Sequence, residues 1–305
     1  MAFSASDAAV EGFRIARREP IAIVGWSIVQ LIFGVVLILA TMPFLRSMAA
    51  MQTVTVADRA NPAALMAALE PNLAFTGAII PLELVLFAVL SAAVYRVVLR
   101  PEEKGLARLK FGADELRLGI LWIEMGLFFA AVGVLAFIPI VIVFAIFAAA
   151  MKASPADIVL LAMAIYLVLL GVFVWLGVRF SLAAPMTFVR REVLLFPTWK
   201  LTKGRFWPLF GCYLLTFIFM MIIGLVVLCF EAAGTLALSG GDMAKAGASL
   251  MHPDYSSLQA YFSPSRVVML LINAVLGGVY WSVAFAPAAV AYREFAGDSP
   301  AAPAA

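Results

Sequence analysis

The amino-acid sequence predicts an all-α, polytopic integral membrane protein that crosses the bilayer about six times, with both termini on the cytoplasmic side. Three observations carry this reading. Hydrophobic residues make up 65% of the 305 positions and charged residues only 13%, about half the charged share of a water-soluble domain. The apolar residues gather into six runs, each meeting the roughly 20 residues a helix needs to cross a bilayer. Finally, Lys and Arg are concentrated in alternate connections between those runs.

The runs cover residues 20–45, 73–98, 118–150, 156–184, 206–234 and 266–291. The first is too long for a signal-peptide core and reads as an uncleaved anchor. The third exceeds what a bilayer requires, so it is expected to tilt, to project, or to kink at Pro139. With the N-terminus inside, the outer segments hold only Arg46, Arg59, Lys152, Lys245 and Arg266, and the inner segments hold the other sixteen of the 21 basic residues. The reverse orientation would invert this bias. In the first outer connection, Asn61 before Pro62 is a helix-start signal and predicts a short surface helix. In the third, Gly240-Gly241-Asp242 and Pro253 bracket another. The connection near Lys152 is a tight turn.

Residues 1–294 form one transmembrane domain, and 295–305 form a disordered cytoplasmic tail rich in Ala and Pro. Within the domain, Ala184-Pro185 precedes Arg191-Glu192 by the spacing that separates Ala286-Pro287 from Arg293-Glu294. Stretches 3–18, 103–117 and 192–203 mix apolar and basic residues, as interfacial helices do. Short helices in the membrane plane are accordingly expected over 106–116 and 193–201. The pattern describes three units (1–100, 101–190 and 191–294), each an interfacial segment, a span, an outer loop and a span. Tandem hairpins share such a pattern without duplication.

Little catalytic chemistry is available. The sequence has no GxSxG elbow, HExxH pair or P-loop, and no aspartate deep in a span. Its one histidine, His252, lies in an outer connection and leaves almost nothing with which to hold a metal. Cys212 and Cys229 share one helix at a separation no disulfide can bridge. The expectation is no enzyme, no cofactor, no metal and no nucleic acid, with membrane lipids as partners.

The polar residues inside the spans are the candidates for function. Glu83 lies mid-span, two residues after Pro81, whose missing N–H frees a carbonyl nearby. It shares a face with Thr76, Phe87, Ser91 and Tyr95. An unpaired charge there is costly, so this stripe is expected to face the interior, opposite Asn273, Gly277 and Tyr280 of the sixth span. The site reads either as a proton- or ligand-binding group or as a structural hydrogen bond. Glu124 is expected to form a buried ion pair with Arg179 or Arg96, an arrangement weighed against an anion site. Gly119, Gly126 and Gly133 share one helix face and predict close packing. Trp199, Lys200, Lys203, Arg205 and Trp207 form an aromatic and cationic strip suited to lipid headgroups.

The segment APMTFVRREVLLFPTWKLTKGRFWPLFG, residues 184–211, resembles the YciC-like bacterial membrane proteins and the membrane domain attached to some glycerophosphoryl diester phosphodiesterases. Tyr95-Arg96 and Ala291-Tyr292-Arg293 at span ends fit the same likeness. In the phosphodiesterase relatives, catalysis resides in a separate soluble barrel that is not in this sequence, so the resemblance implies no such activity. The leading expectation is a non-enzymatic bacterial inner-membrane protein with a lipid-related role in envelope or membrane homeostasis. The second is a small transporter or lipid carrier using Glu83; the third is an intramembrane enzyme.

Overall fold

The structure, a computed structural model, describes residues 3–51, 62–150, 154–251 and 257–297. Arg59, Asn61, Lys152, His252, Pro253 and residues 298–305 lie outside them. Among the described residues the chain is helical with no strand, because a bilayer core offers no water to satisfy open backbone groups. The helices are α1 (Ala5–Arg18), α2 (Pro20–Met51), α3 (Pro62–Leu99), α4 (Ala113–Ala150), α5 (Pro155–Phe180), α6 (Ala183–Arg190), α7 (Thr198–Leu201), α8 (Phe206–Leu238), α9 (Met243–Met251), α10 (Leu258–Tyr261) and α11 (Pro264–Gly297). A 3-10 turn, Leu106–Arg108, precedes α4.

Six of these helices carry stretches long and apolar enough to cross a membrane: α2, α3, α4, α5, α8 and α11. They match the six apolar runs. The chain is a multi-pass helical membrane protein. Its helices outrun the bilayer, however. At 38 residues, α3 and α4 are each about 57 Å long against a hydrocarbon core of about 30 Å. The expected separate surface helix after Pro62 is instead the first part of continuous α3. At the other outer connection, α9 occupies the expected place between Gly240-Gly241 and Pro253. Pro139 sits inside an unbroken α4.

The expected fourth run, 156–184, breaks after Phe180. Pro185 has no N–H, and its ring clashes with the carbonyl four residues earlier, so the helix stops and restarts as α6 with Pro185 in its first turn. Arg191 caps α6 in the left-handed conformation (φ 58°), its N–H bonded to the Thr187 carbonyl. The matching Ala286-Pro287 lies within continuous α11, so the two copies of this motif differ in backbone. Helix α11 also runs on to Gly297 with Phe295 buried, which takes residues 295–297 out of the expected disordered tail.

The core is concentrated at the end of the bundle rich in Lys and Arg. Leu90, Tyr95, Leu121, Phe180, Phe188, Leu209 and Ala289 are buried there. Toward the other end α4 and α5 expose Leu135, Ile142, Ile146, Leu160 and Leu167, faces that suit acyl chains. The helices therefore close at the basic end and diverge from it.

Three glycines make that closure tight. A Cβ on Gly12 of α1 would collide with the Val283 Cα of α11, and one on Gly278 of α11 would lie 2.6 Å from the Ile23 carbonyl oxygen of α2. A Cβ on Gly25 would run into the Ala107 methyl. The Ser282 hydroxyl donates to the Gly12 carbonyl at 3.1 Å. So α1, expected on the membrane surface, buries Ala8, Ala9, Gly12 and Ile15 against protein. The expected close-packing stripe on α4 does not pack closely. A Cβ on Gly119 or Gly133 would meet only ordinary contacts, and one on Gly126 would meet nothing within 4 Å.

Candidate functional site

The connection from α3 to α4 folds back as a cap of ion pairs over the basic end. Arg96 stands in the last turn of α3, and Glu115 stands in the first turn of α4. The Arg96 guanidinium is ion-paired with the Glu115 carboxylate, and neither side chain is more than 4% exposed. Arg96 also donates to the Arg108 carbonyl at 3.1 Å, and its Nε lies 3.8 Å from Glu103. The second Glu115 oxygen accepts the Gly112 N–H at 3.0 Å.

Around this pair the cap is laced by further charges. Arg100 pairs with Asp114 at 2.8 Å and with Glu103 at 3.3 Å. It also donates to the Phe188 carbonyl and lies over the Phe188 ring, 4.2 Å from its centroid. Arg108 turns inward to the Pro101 and Glu103 carbonyls and pairs with Glu19 at 2.9 Å. The Lys110 ammonium, hydrogen-bonded to Glu103 at 2.7 Å, holds the Glu103 carboxyl below its ordinary range.

This folding replaces the single helix expected over 106–116 with a 3-10 turn at Leu106–Arg108 and, from Ala113, the first turn of α4. Ala107 and Arg108 take left-handed conformations (φ 52° and 57°), which non-glycine residues adopt only when their surroundings impose it. Here the indole of buried Trp26 donates to the Ala107 carbonyl at 2.9 Å, and Gly25 leaves room for the Ala107 methyl. Leu106 and Phe111 stay exposed, as an interfacial segment requires.

Beside the cap, α3 and α4 enclose a groove of about 540 Å³. Leu84, Val85, Ala88, Leu116, Gly119 and Ile123 line it, together with Glu115 and the exposed Phe111. A second cleft of about 210 Å³ shares Leu84 and is lined by Ile80, Glu83, Phe87 and Trp122.

The structure separates the expected Glu83 site into parts. Ser91 and Tyr95 of its stripe are buried, but Glu83 is exposed, because the helices diverge between those levels. Glu83 forms no hydrogen bond or ion pair among the described residues. Asn273 bonds instead to Glu231 and to the Met269 carbonyl, and Tyr280 packs edge-on against Trp281. The expected pairing of Glu124 with Arg179 or Arg96 is likewise not formed. Helix α4 begins at Ala113, ahead of the apolar run, which brings Glu115 to the level of Arg96. Glu124, further along α4, is about 13 Å deeper.

Arg179 has an aromatic setting. Its guanidinium carbon is 5.6 Å from the Trp175 ring centroid and 5.3 Å from that of Trp199. The expected headgroup strip thus divides. Trp199 packs inward on Arg179, and Arg205 lies over the Phe295 ring. Lys200, Lys203 and Trp207 remain exposed. The expected helix over 193–201 shrinks to the single turn of α7, where the Thr202 hydroxyl bonds the Arg179 carbonyl at 3.1 Å.

Sequence reading missed Glu115, Trp26 and the Gln30–Trp281 hydrogen bond. A lone amide in an apolar run is a signal that would have found Gln30. Among the described residues, no group of three or more His, Cys, Asp or Glu is placed to hold a metal ion. Comparison with protein-family models, with curated proteins and with solved structures returns no match.

Proposed function

We propose that this chain is a non-enzymatic bacterial inner-membrane protein with a lipid-related role in envelope or membrane homeostasis, and that it engages lipid through the α3–α4 groove. The observation that supports this reading is the groove itself. Its walls are aliphatic, its volume suits part of an acyl chain, and it lies against the ion-paired cap where headgroups would sit. The carboxylates and guanidiniums of the cap bind one another, which favours a structural lid over a reactive site. The resemblance of residues 184–211 to YciC-like proteins belongs to the same proposal.

Filling the groove tests it. A Cβ on Gly119 would approach only the Ala88 methyl, at 4.0 Å, so Gly119→Phe should occupy the groove without disturbing the cap. The expected result is less phospholipid retained on purification and loss of envelope resilience in cells carrying the variant. Unchanged lipid retention with a filled groove would sink the proposal. A carrier role for Glu83 is the second reading. It is favoured by an exposed carboxyl group in a span, without a partner among the described residues and beside the smaller cleft.

A further inference from the structure

We infer that Arg179 is the anion-binding group of a second lipid site, one that takes the phosphodiester of a glycerophospholipid at the basic face of the bundle. Arg179 is the penultimate residue of α5. The rings of Trp175 and Trp199 meet edge to face, 5.1 Å apart at 87°, and both lie near its guanidinium. The Thr202–Arg179 hydrogen bond anchors the turn that carries Trp199. Thr202 is fully buried, so the clamp is held from within the protein.

The aromatic rings attract the cation's charge but accept little from its N–H groups. Nε and Nη1 of Arg179 are sealed in without a hydrogen-bond acceptor, and Nη2 is not enclosed in this way. A guanidinium stays protonated under all physiological conditions. Arg96, Arg100, Arg108 and Arg117 each meet this demand with a carboxylate. Arg179 has no carboxylate partner among the described residues, and its position at the end of a span places it where phosphates are the abundant anions. A planar guanidinium suits an oxyanion in geometry as well as charge. Lys200 and Lys203, exposed on the adjoining turn, add positive charge to the same face.

The site shares no residue with the α3–α4 groove, so either can fail without the other. The test uses the full chain in a non-ionic detergent and native mass spectrometry. Three probes are titrated: phosphatidylglycerol, diacylglycerol and inorganic phosphate. Wild type should retain phosphatidylglycerol over diacylglycerol. Arg179→Gln should weaken that retention about tenfold or more, the scale of a lost charge-assisted hydrogen bond, and Arg179→Lys should restore part of it. Millimolar inorganic phosphate should not displace the lipid; displacement would assign the site to a soluble oxyanion and overturn the lipid assignment. Equal retention of the two lipids by wild type would overturn the proposal even if Arg179→Gln failed to fold. So would unchanged retention in a folded Arg179→Gln.

Discussion

Arg96 of α3 and Glu115 of α4 form a buried ion pair, with neither side chain more than 4% exposed. Removing one partner strands a buried charge. Glu115→Gln should therefore destabilise the protein by about 3–5 kcal/mol, seen as a lower melting temperature in detergent. The double change Arg96→Met with Glu115→Leu removes both charges and should recover most of the loss. If Glu115→Gln melts like wild type, the pair is not the structural centre of the cap.

Close approach of α1 to α11 makes Gly12 a second sensitive point. Gly12→Ala would drive a methyl into the Val283 backbone, and backbone cannot yield as a flexible side chain can. A cost of about 1–3 kcal/mol is expected, with α1 more open to protease. Gly171→Ala on α5 meets nothing within 4 Å and should be neutral or stabilising by about 0.5–1 kcal/mol. Equal behaviour of the two variants would rule out the α1–α11 contact.

These sites show where the sequence was legible and where it was not. Span number follows from apolar run length, because the bilayer imposes one length scale on every crossing. Depth was harder to read. An apolar run beginning at 118 hides the helical turn before it, so the run presents Glu124, and not Glu115, as the partner of Arg179 or Arg96. Lateral arrangement was harder still. Gly12 and Gly278 look no different in sequence from Gly126, and only the crossing of α11 with α1 and α2 makes them necessary. The Arg179 clamp depends on Thr202 returning Trp199 to α5, a tertiary contact with no periodic signal.

The pH response of the cap follows from Glu103. Hydrogen bonding to Lys110 lowers the folded carboxyl's pKa below its unfolded value. That contribution is fully present above the ordinary glutamate pKa of about 4.3 and is lost as pH falls through the lower folded value. Melting temperature should thus decline as the pH drops below about 4. Lys110→Met should flatten the decline; an identical pH profile would show that this contact carries no linkage.

Orientation is testable by thiol labelling in a background lacking Cys212 and Cys229. Thr198 is fully buried and would resist any reagent, so exposed positions are needed. Cysteines at Ser154 and Lys245 should react with an impermeant reagent applied to intact cells, and cysteines at Glu102 and Lys203 should not, as the Lys and Arg bias requires. Labelling confined to Glu102 and Lys203 would reverse the topology.

Glu83 offers the sharpest separation of structure from function. Had it bonded to Asn273, it would have been one half of an interhelical hydrogen bond. Instead Asn273 bonds to Glu231, and Glu83 lines a cleft beside Trp122. Glu83→Gln should therefore leave the melting temperature within about a degree of wild type, since surface changes away from partners shift stability little. Glu231→Leu should lower it, because the Asn273 amide then loses one of its two acceptors and keeps only the Met269 carbonyl. If the carrier reading is right, Glu83→Gln also abolishes activity at unchanged stability, as a carboxyl that binds and releases a proton or cation cannot be replaced by an amide. A marked fall in melting temperature for Glu83→Gln would place that carboxyl in a structural contact and remove the reason for assigning it a function.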